Sequence, residues 1–151
     1  MSFVVDVQRE VELEAISNAD FEQWVSCALT GRKTEGEVCI CIVSPEESQQ
    51  LNNDYRGKDK PTNVLSFPFE APPEVPVSLL GDLAICADVV ASEAQEQGKP
   101  LRNHWAHMTI HGVLHLIGYD HIKDADAEAM EALEVEILAS LDIPNPYENG
   151  E

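Results

Sequence analysis

Residues 111–121 read His-Gly-Val-Leu-His-Leu-Ile-Gly-Tyr-Asp-His. His111 and His115 are four apart, so on a helix they project from one face, one turn above the other, where a single ion can bridge them. Gly118 can take the left-handed conformation that ends a helix and turns the chain, and His121 can then return to the same ion from a third direction. Three neutral imidazoles suit zinc or a similar first-row divalent ion. A site with only three protein ligands leaves a position open for water, which is the catalytic arrangement and not the structural one. A lone histidine on an apolar helix face is usually a core residue. The spacing, the glycine break and the third histidine together point to one metal ion per chain on His111, His115 and His121.

The spacing HxxxHxxGxxH is that of the metzincin peptidases, whose helix carries a glutamate beside the first histidine as general base. Here that position is Gly112, which can neither accept a proton from water nor orient it. The scaffold is zincin-like, and the missing proton acceptor predicts different chemistry. A metallopeptidase-like hydrolase stays as an alternative, favoured by spacing and opposed by Gly112. Of the other candidates, His107 could stand behind the metal or lie on the helix surface, and His104 is too far along the axis to share the ion. Asp120 could orient an imidazole or cap the next segment. Asp82 reads as a turn residue, and Ser66 as a strand serine that could line a cleft.

The chain of 151 residues suits one domain, 1–151, with one core. Its formal net charge of −19 disfavours polyanion binding driven by overall charge. Distribution matters more than the sum. From Asp120 onward ten acidic residues face one lysine, whereas Arg56, Lys58 and Lys60 place three of the nine basic residues within five positions. Taken on charge alone, that cluster is an ordinary charged turn. Cys27, Cys39, Cys41 and Cys86 form no CxxC pair, and Cys39 and Cys41, in an apolar run, read as buried reduced thiols. The start has no basic region before its apolar residues, and no apolar run approaches the roughly 20 residues of a membrane span. A cytoplasmic protein with no membrane partner is expected.

Periodicity assigns the secondary structure around these residues. Phe3 to Val7 reads as a first strand and Asp20 to Leu29 as a first helix. Gly31 and Gly36 bracket a turn before a strand from Glu37 to Ser44. Ser44-Pro45-Glu46-Glu47 opens a helix to about Asp54. Val64 to Phe69 is extended, and Pro68 marks an edge strand. Residues 71–76, rich in proline, form a surface loop, and Gly81 to Cys86 is a buried strand. Asp88 caps a helix to about Gln97, stopped by Gly98 and Pro100. A long helix from about Arg102 to Ile117 carries the histidines. A last one, from Asp124 to about Leu141, buries Met130, Leu133, Ile137 and Leu141. The order βα-βα-ββ-ααα describes an α+β fold: a single sheet of about four strands with helices packed on it.

The histidine motif, with Tyr55-Arg56-Gly57-Lys58-Asp59 and Pro61-Thr62-Asn63-Val64-Leu65-Ser66-Phe67-Pro68, resembles the YbeY family, in particular its enterobacterial type. The likeness extends through Leu79-Leu80-Gly81-Asp82-Leu83 and Trp105-Ala106-His107, over most of the chain after residue 37. Many members of that family carry Asp where this chain has Asn63. The resemblance implies a bacterial zinc-dependent endoribonuclease, specific for single strands. Its expected work is 16S rRNA 3′-end maturation and 70S ribosome quality control. Ribosomal RNA and the ribosome or its proteins and assembly factors are then its partners, with no DNA. His111, His115 and His121 are then the Zn2+ ligands, and Arg56 matches the arginine regarded as functionally important there.

That chemistry suits the residues. A phosphodiester needs a nucleophile and charge neutralisation on its phosphoryl oxygens. An open-sided zinc ion supplies the first, and the planar fork of Arg56 can clamp the phosphate. Gly57 gives the loop freedom to approach a ligand, which would let Lys58 and Lys60 hold flanking phosphates. A third reading is a ribosome assembly factor whose metal is mainly structural. The chain's acidity supports it, since such a protein would reach RNA through protein partners.

Overall fold

The computed structural model describes residues 2–13, 15–32, 35–68, 79–119 and 124–145. Among them the chain runs β1 (Ser2–Arg9), α1 (Asn18–Leu29), β2 (Glu35–Val43), α2 (Pro45–Arg56), β3 (Val64–Pro68), β4 (Leu79–Cys86), α3 (Ala87–Gln97), α4 (Leu101–Leu116) and α5 (Asp124–Ser140). This is the expected α+β order. One four-stranded sheet is ordered β1-β2-β4-β3, with β1, β2 and β4 parallel and β3 antiparallel to β4. Pro68 does close an edge strand. The proline-rich loop 71–76 lies outside the described residues.

Strand alternation divides the sheet into two faces. Val38, Ile40 and Ile42 of β2, with Leu83 and Ile85 of β4, are buried in the main core. Against them pack Phe21 and Trp24 of α1 and Trp105, Ile110 and Leu114 of α4. Phe21 meets both tryptophans edge-on, at 5.6 and 5.8 Å between ring centroids. Cys39 and Cys41 fall on the opposite face from Ile40 and Ile42. They are half-buried, not buried as expected, with Sγ atoms 4.0 Å apart. Burial, then the neighbouring Cys41, pushes the Cys39 thiol up to about 12, so it stays protonated and inert at neutral pH.

Several boundaries shift for local reasons. Gly36 belongs to β2 instead of a turn, and a Cβ there would come 2.7 Å from Leu80 Cδ1. Asp88 lies in the first turn of α3, whose N-cap is Cys86 without a side-chain cap bond. Gly57 is fixed as the left-handed C-cap of α2, at φ +71°, and is not a free hinge. In α5, Met130, Ile137 and Leu138 are buried, whereas Leu133 and Leu141 are only partly so.

The histidine-bearing helix α4 is the hub of the packing. It touches β3, β4, α1, α3 and α5, and residues 104–110 are all buried. A helix so enclosed shows no one-sided apolar stripe. Its distance from the sheet is set at Gly112. A Cβ there would come 2.8 Å from Leu83 Cδ2 and 3.3 Å from Val64 Cγ2, so any side chain at 112 meets the sheet. Ser66 Oγ of β3 donates to the Gly112 carbonyl at 3.1 Å, pinning the same crossing.

The start of α4 is tied to α1. Ser17 and Asp20 form a capping box, and Asp20 Oδ1 lies 2.7 Å from Arg102 Nη2, whose guanidinium sits 5.3 Å from the Trp24 ring. The bond from Arg102 holds the Asp20 carboxyl at about 2, below its unfolded value near ~3.9. Its contribution to stability is therefore present above pH ~4 and lost as pH falls towards the folded value. Because Arg102 is half exposed, the expected loss in Asp20→Asn at neutral pH is only about 1 kcal/mol. Urea denaturation should show the gap from wild type narrowing between pH 5 and pH 3. A constant gap would mean the ionised carboxylate is not the contributing group.

Candidate metal centre and cleft

The end of α4 delivers the motif. Tyr119 N–H donates to the Leu114 carbonyl at 3.0 Å and Gly118 N–H to the His115 carbonyl at 3.1 Å, with Gly118 at φ +106°. This is a Schellman closure, and it requires a residue at ease with positive φ. One turn earlier, His111 and His115 stand on the same face, and their Nε2 atoms are 3.2 Å apart. Two nitrogens each ~2.05 Å from a tetrahedral zinc ion would be separated by about 3.3 Å, so the pair fits one ion.

A buried carboxylate sets the state of the first imidazole. Glu134 Oε1 lies 3.1 Å from His111 Nδ1 and 2.8 Å from His107 Nε2, and the glutamate is fully buried. Burial works to raise the Glu134 pKa, but the bonds from His107 and His111 override it and hold the carboxyl at about 2. Burial lowers the His107 pKa, keeping that ring neutral. The carboxylate accepts the Nδ1 proton of His111, which leaves the Nε2 lone pair aimed at His115. A ligating histidine commonly leans on a carboxylate in this way. His107, His111 and Glu134 also have ligand atoms all within 4.8 Å of one another. Within that group the contacts are hydrogen bonds to the buried Glu134, and the half-buried His111 turns its other face towards His115 and the cleft.

His111 and His115 open into a cleft of about 630 Å³ that Arg56, Asn63, Ser66 and Tyr119 also line. Arg56, the last residue of α2, is exposed at its rim. No carboxylate is among the described lining residues, although the chain has 28 acidic residues. Lys58 and Lys60 are exposed and do not line the cleft. Their loop is pinned to α2: Asn52 Nδ2 donates to the Lys60 carbonyl at 2.9 Å and Gln49 Nε2 to Asp59 Oδ1 at 2.9 Å. His121 and Asp120 lie outside the described residues.

Sequence reasoning missed two acids. Glu134 sits four residues after Met130 and four before Leu138, on the buried face of α5. An acid at a core position of an amphipathic helix was the available signal. Glu93 similarly follows the buried Val90 by three. It accepts from Asn63 Nδ2 at 3.1 and 3.2 Å and contacts His104 Nε2 at 2.9 Å. An aspartate at 63 would set two carboxylates against each other, so the amide suits this neighbourhood. His104 thus belongs to a separate network, as its distance from His115 along the helix predicts.

Fold and site define an α+β protein in which a buried helix presents a histidine pair to an open cleft rimmed by arginine. A sequence model of the family described as Endoribonuclease YbeY matches residues 5–142. The chain is 58% identical over 149 residues to Endoribonuclease YbeY of Chromohalobacter salexigens, covering 94% of this chain and 97% of that protein. The chain belongs to the Endoribonuclease YbeY family. Its fold is similar to the solution structure of a Thermotoga maritima protein, with a TM-score of 0.61 at 22% identity, covering 96% of this chain and 99% of the other. No helix among the described residues is long and apolar enough to cross a membrane.

Glu134→Gln keeps the shape of the side chain but removes the charge that holds the His111 proton. Calorimetric titration with zinc should show affinity reduced by about 10- to 100-fold. Unaltered affinity in a folded variant would detach Glu134 from the metal centre.

Proposed function

We propose that this chain is a zinc-dependent, single-strand-specific endoribonuclease of the cytoplasm, acting in 16S rRNA 3′-end maturation and 70S ribosome quality control. In this reading His111, His115 and His121 hold the metal, and residues 1–151 work as a single domain. The observation that carries it is the cleft itself. It joins a histidine pair spaced for one ion to an arginine and excludes carboxylates from its described lining, in a chain of net charge −19. Such a surface repels polyanions broadly and accepts a phosphodiester at one place.

When bound, a divalent first-row ion supplies Lewis acidity at a phosphoryl oxygen and lowers the pKa of water. Arg56 binds the phosphoryl oxygens through two parallel N–H donors and so favours the state in which their charge is greatest. Glu134 keeps the His111 proton on Nδ1, and His107 shares that carboxylate. Lys58 and Lys60, outside the cleft, hold phosphates further along the strand. The lack of an acid at 112 weighs against a peptidase, and a side chain at that position would have to displace the Leu83 side chain. RNA and protein components of the ribosome are the expected partners.

The test compares Arg56→Ala with Arg56→Lys in single-turnover cleavage of single-stranded RNA at saturating enzyme, with metal content matched. Arg56→Lys keeps the charge and loses the fork, so both variants should fall by about 100-fold or more. Lys58→Ala and Lys60→Ala should weaken RNA binding modestly and flatten its salt dependence. Wild-type rates in both Arg56 variants would remove the arginine from the reaction. Cleavage of an unstructured peptide, with RNA left intact, would favour the peptidase instead.

A further inference from the structure

β3 is an edge strand and runs along the cleft. Its register decides which backbone groups face β4. The Cys86 N–H donates to the Asn63 carbonyl at 2.9 Å. Val64 then lies opposite Ile85, Leu65 opposite Ala84, Ser66 opposite Leu83 and Phe67 opposite Asp82. In an antiparallel ladder bonded and non-bonded pairs alternate. Leu65 and Phe67 therefore bond to β4, whereas Val64, Ser66 and Pro68 turn their backbone polar groups to the other edge, where no described strand pairs with them.

An ordinary open edge alternates donors with acceptors and invites another strand. This edge has lost its donors on both sides of Ser66. The Val64 N–H donates to Asn63 Oδ1 at 2.6 Å, and Asn63 is itself held by Glu93. Pro68 has no N–H. Of the three outward residues only Ser66 keeps a donor for a ligand. Its side chain is engaged with the Gly112 carbonyl, which ties this amide to the helix that carries His111 and His115.

We propose that the Ser66 backbone amide is an anion-binding donor that takes a phosphoryl oxygen of the bound RNA strand, and that the edge of β3 is closed to peptide strands. This rests on the nuclease reading above. A lone donor suits an oxygen anion and not a strand, which needs a ladder. Arg56 supplies the positive charge of the same cleft, and no described lining residue supplies a negative one. An amide fixed in a sheet needs no reorganisation when charge builds on its partner. Ser66 is thus a positioning and charge-stabilising residue through its main chain.

Amide NMR of the zinc-loaded wild-type protein tests this directly. Titration with inorganic phosphate and with adenosine monophosphate should move the Ser66 amide proton downfield, and those of Leu65 and Phe67 less. An extended peptide should move none of them. A Ser66 amide that stays still under both phosphate probes, or a peptide that shifts residues along β3, overturns the proposal. A second arm compares Ser66→Pro with Ser66→Ala, since both lose the hydroxyl and only the first loses the amide. Proline with its nitrogen facing outward on an edge breaks no ladder bond. At matched metal content, Ser66→Pro should cleave single-stranded RNA at least about tenfold more slowly than Ser66→Ala, with a smaller change in RNA affinity. Equal rates would refute the role. If wild-type protein cleaves no RNA at all, the nuclease reading falls, and the phosphate titration still decides the amide.

Discussion

The site depends on one buried carboxylate. Removing Glu134 from water costs several kcal/mol on its own, and contacts with two imidazoles offset that cost. Those contacts run from α5 to α4, so the interaction that stabilises the charge also fixes the two helices together. It turns Nδ1 of His111 towards the carboxylate at the same time. With Nδ1–H directed at Glu134, the lone pair of Nε2 points at His115 across 3.2 Å. Two bases converging at that distance repel unless a proton or a cation lies between them. The buried side of the helix thereby leaves two imidazole nitrogens facing each other on its open side.

The second constraint is how near α4 lies to the sheet. Gly112 lets the helix approach Leu83 and Val64, which puts the edge strand and the histidine pair along the same cleft. The residue that gives this closeness also occupies the position where a peptidase would carry its general base. A side chain at this crossing would have to move Leu83 aside. The edge strand points the same way, because a proline and the Asn63 side chain remove two of the three outward donors a peptide strand would use.

Much of this was legible in the sequence because it is local. Strand alternation, Pro45 after Ser44, Gly98 after α3 and Gly118 after α4 each act within a few residues, and every element falls close to its predicted place. The histidine pair was legible for the same reason. Tertiary partnerships were not. Glu134 stands among many acids in α5, and only its place between Met130 and Leu138 sets it apart. Asn63, Glu93 and His104 come from three separate segments and meet only after folding. Gly57 looked like a source of loop freedom, yet its conformation is committed to closing α2. For Cys39 and Cys41 the alternation that buries Ile40 and Ile42 implies the opposite face, so composition misled where periodicity would not have.

If imidazoles of α4 hold a metal ion, X-ray absorption at the zinc edge will see them, on loaded wild-type protein and on His115→Ala. The wild-type spectrum should show a shell of imidazole nitrogens at about 2.0–2.1 Å, and the variant should show one imidazole fewer. A thiolate shell near ~2.3 Å, or an imidazole count that does not change on losing His115, would contradict ligation by α4.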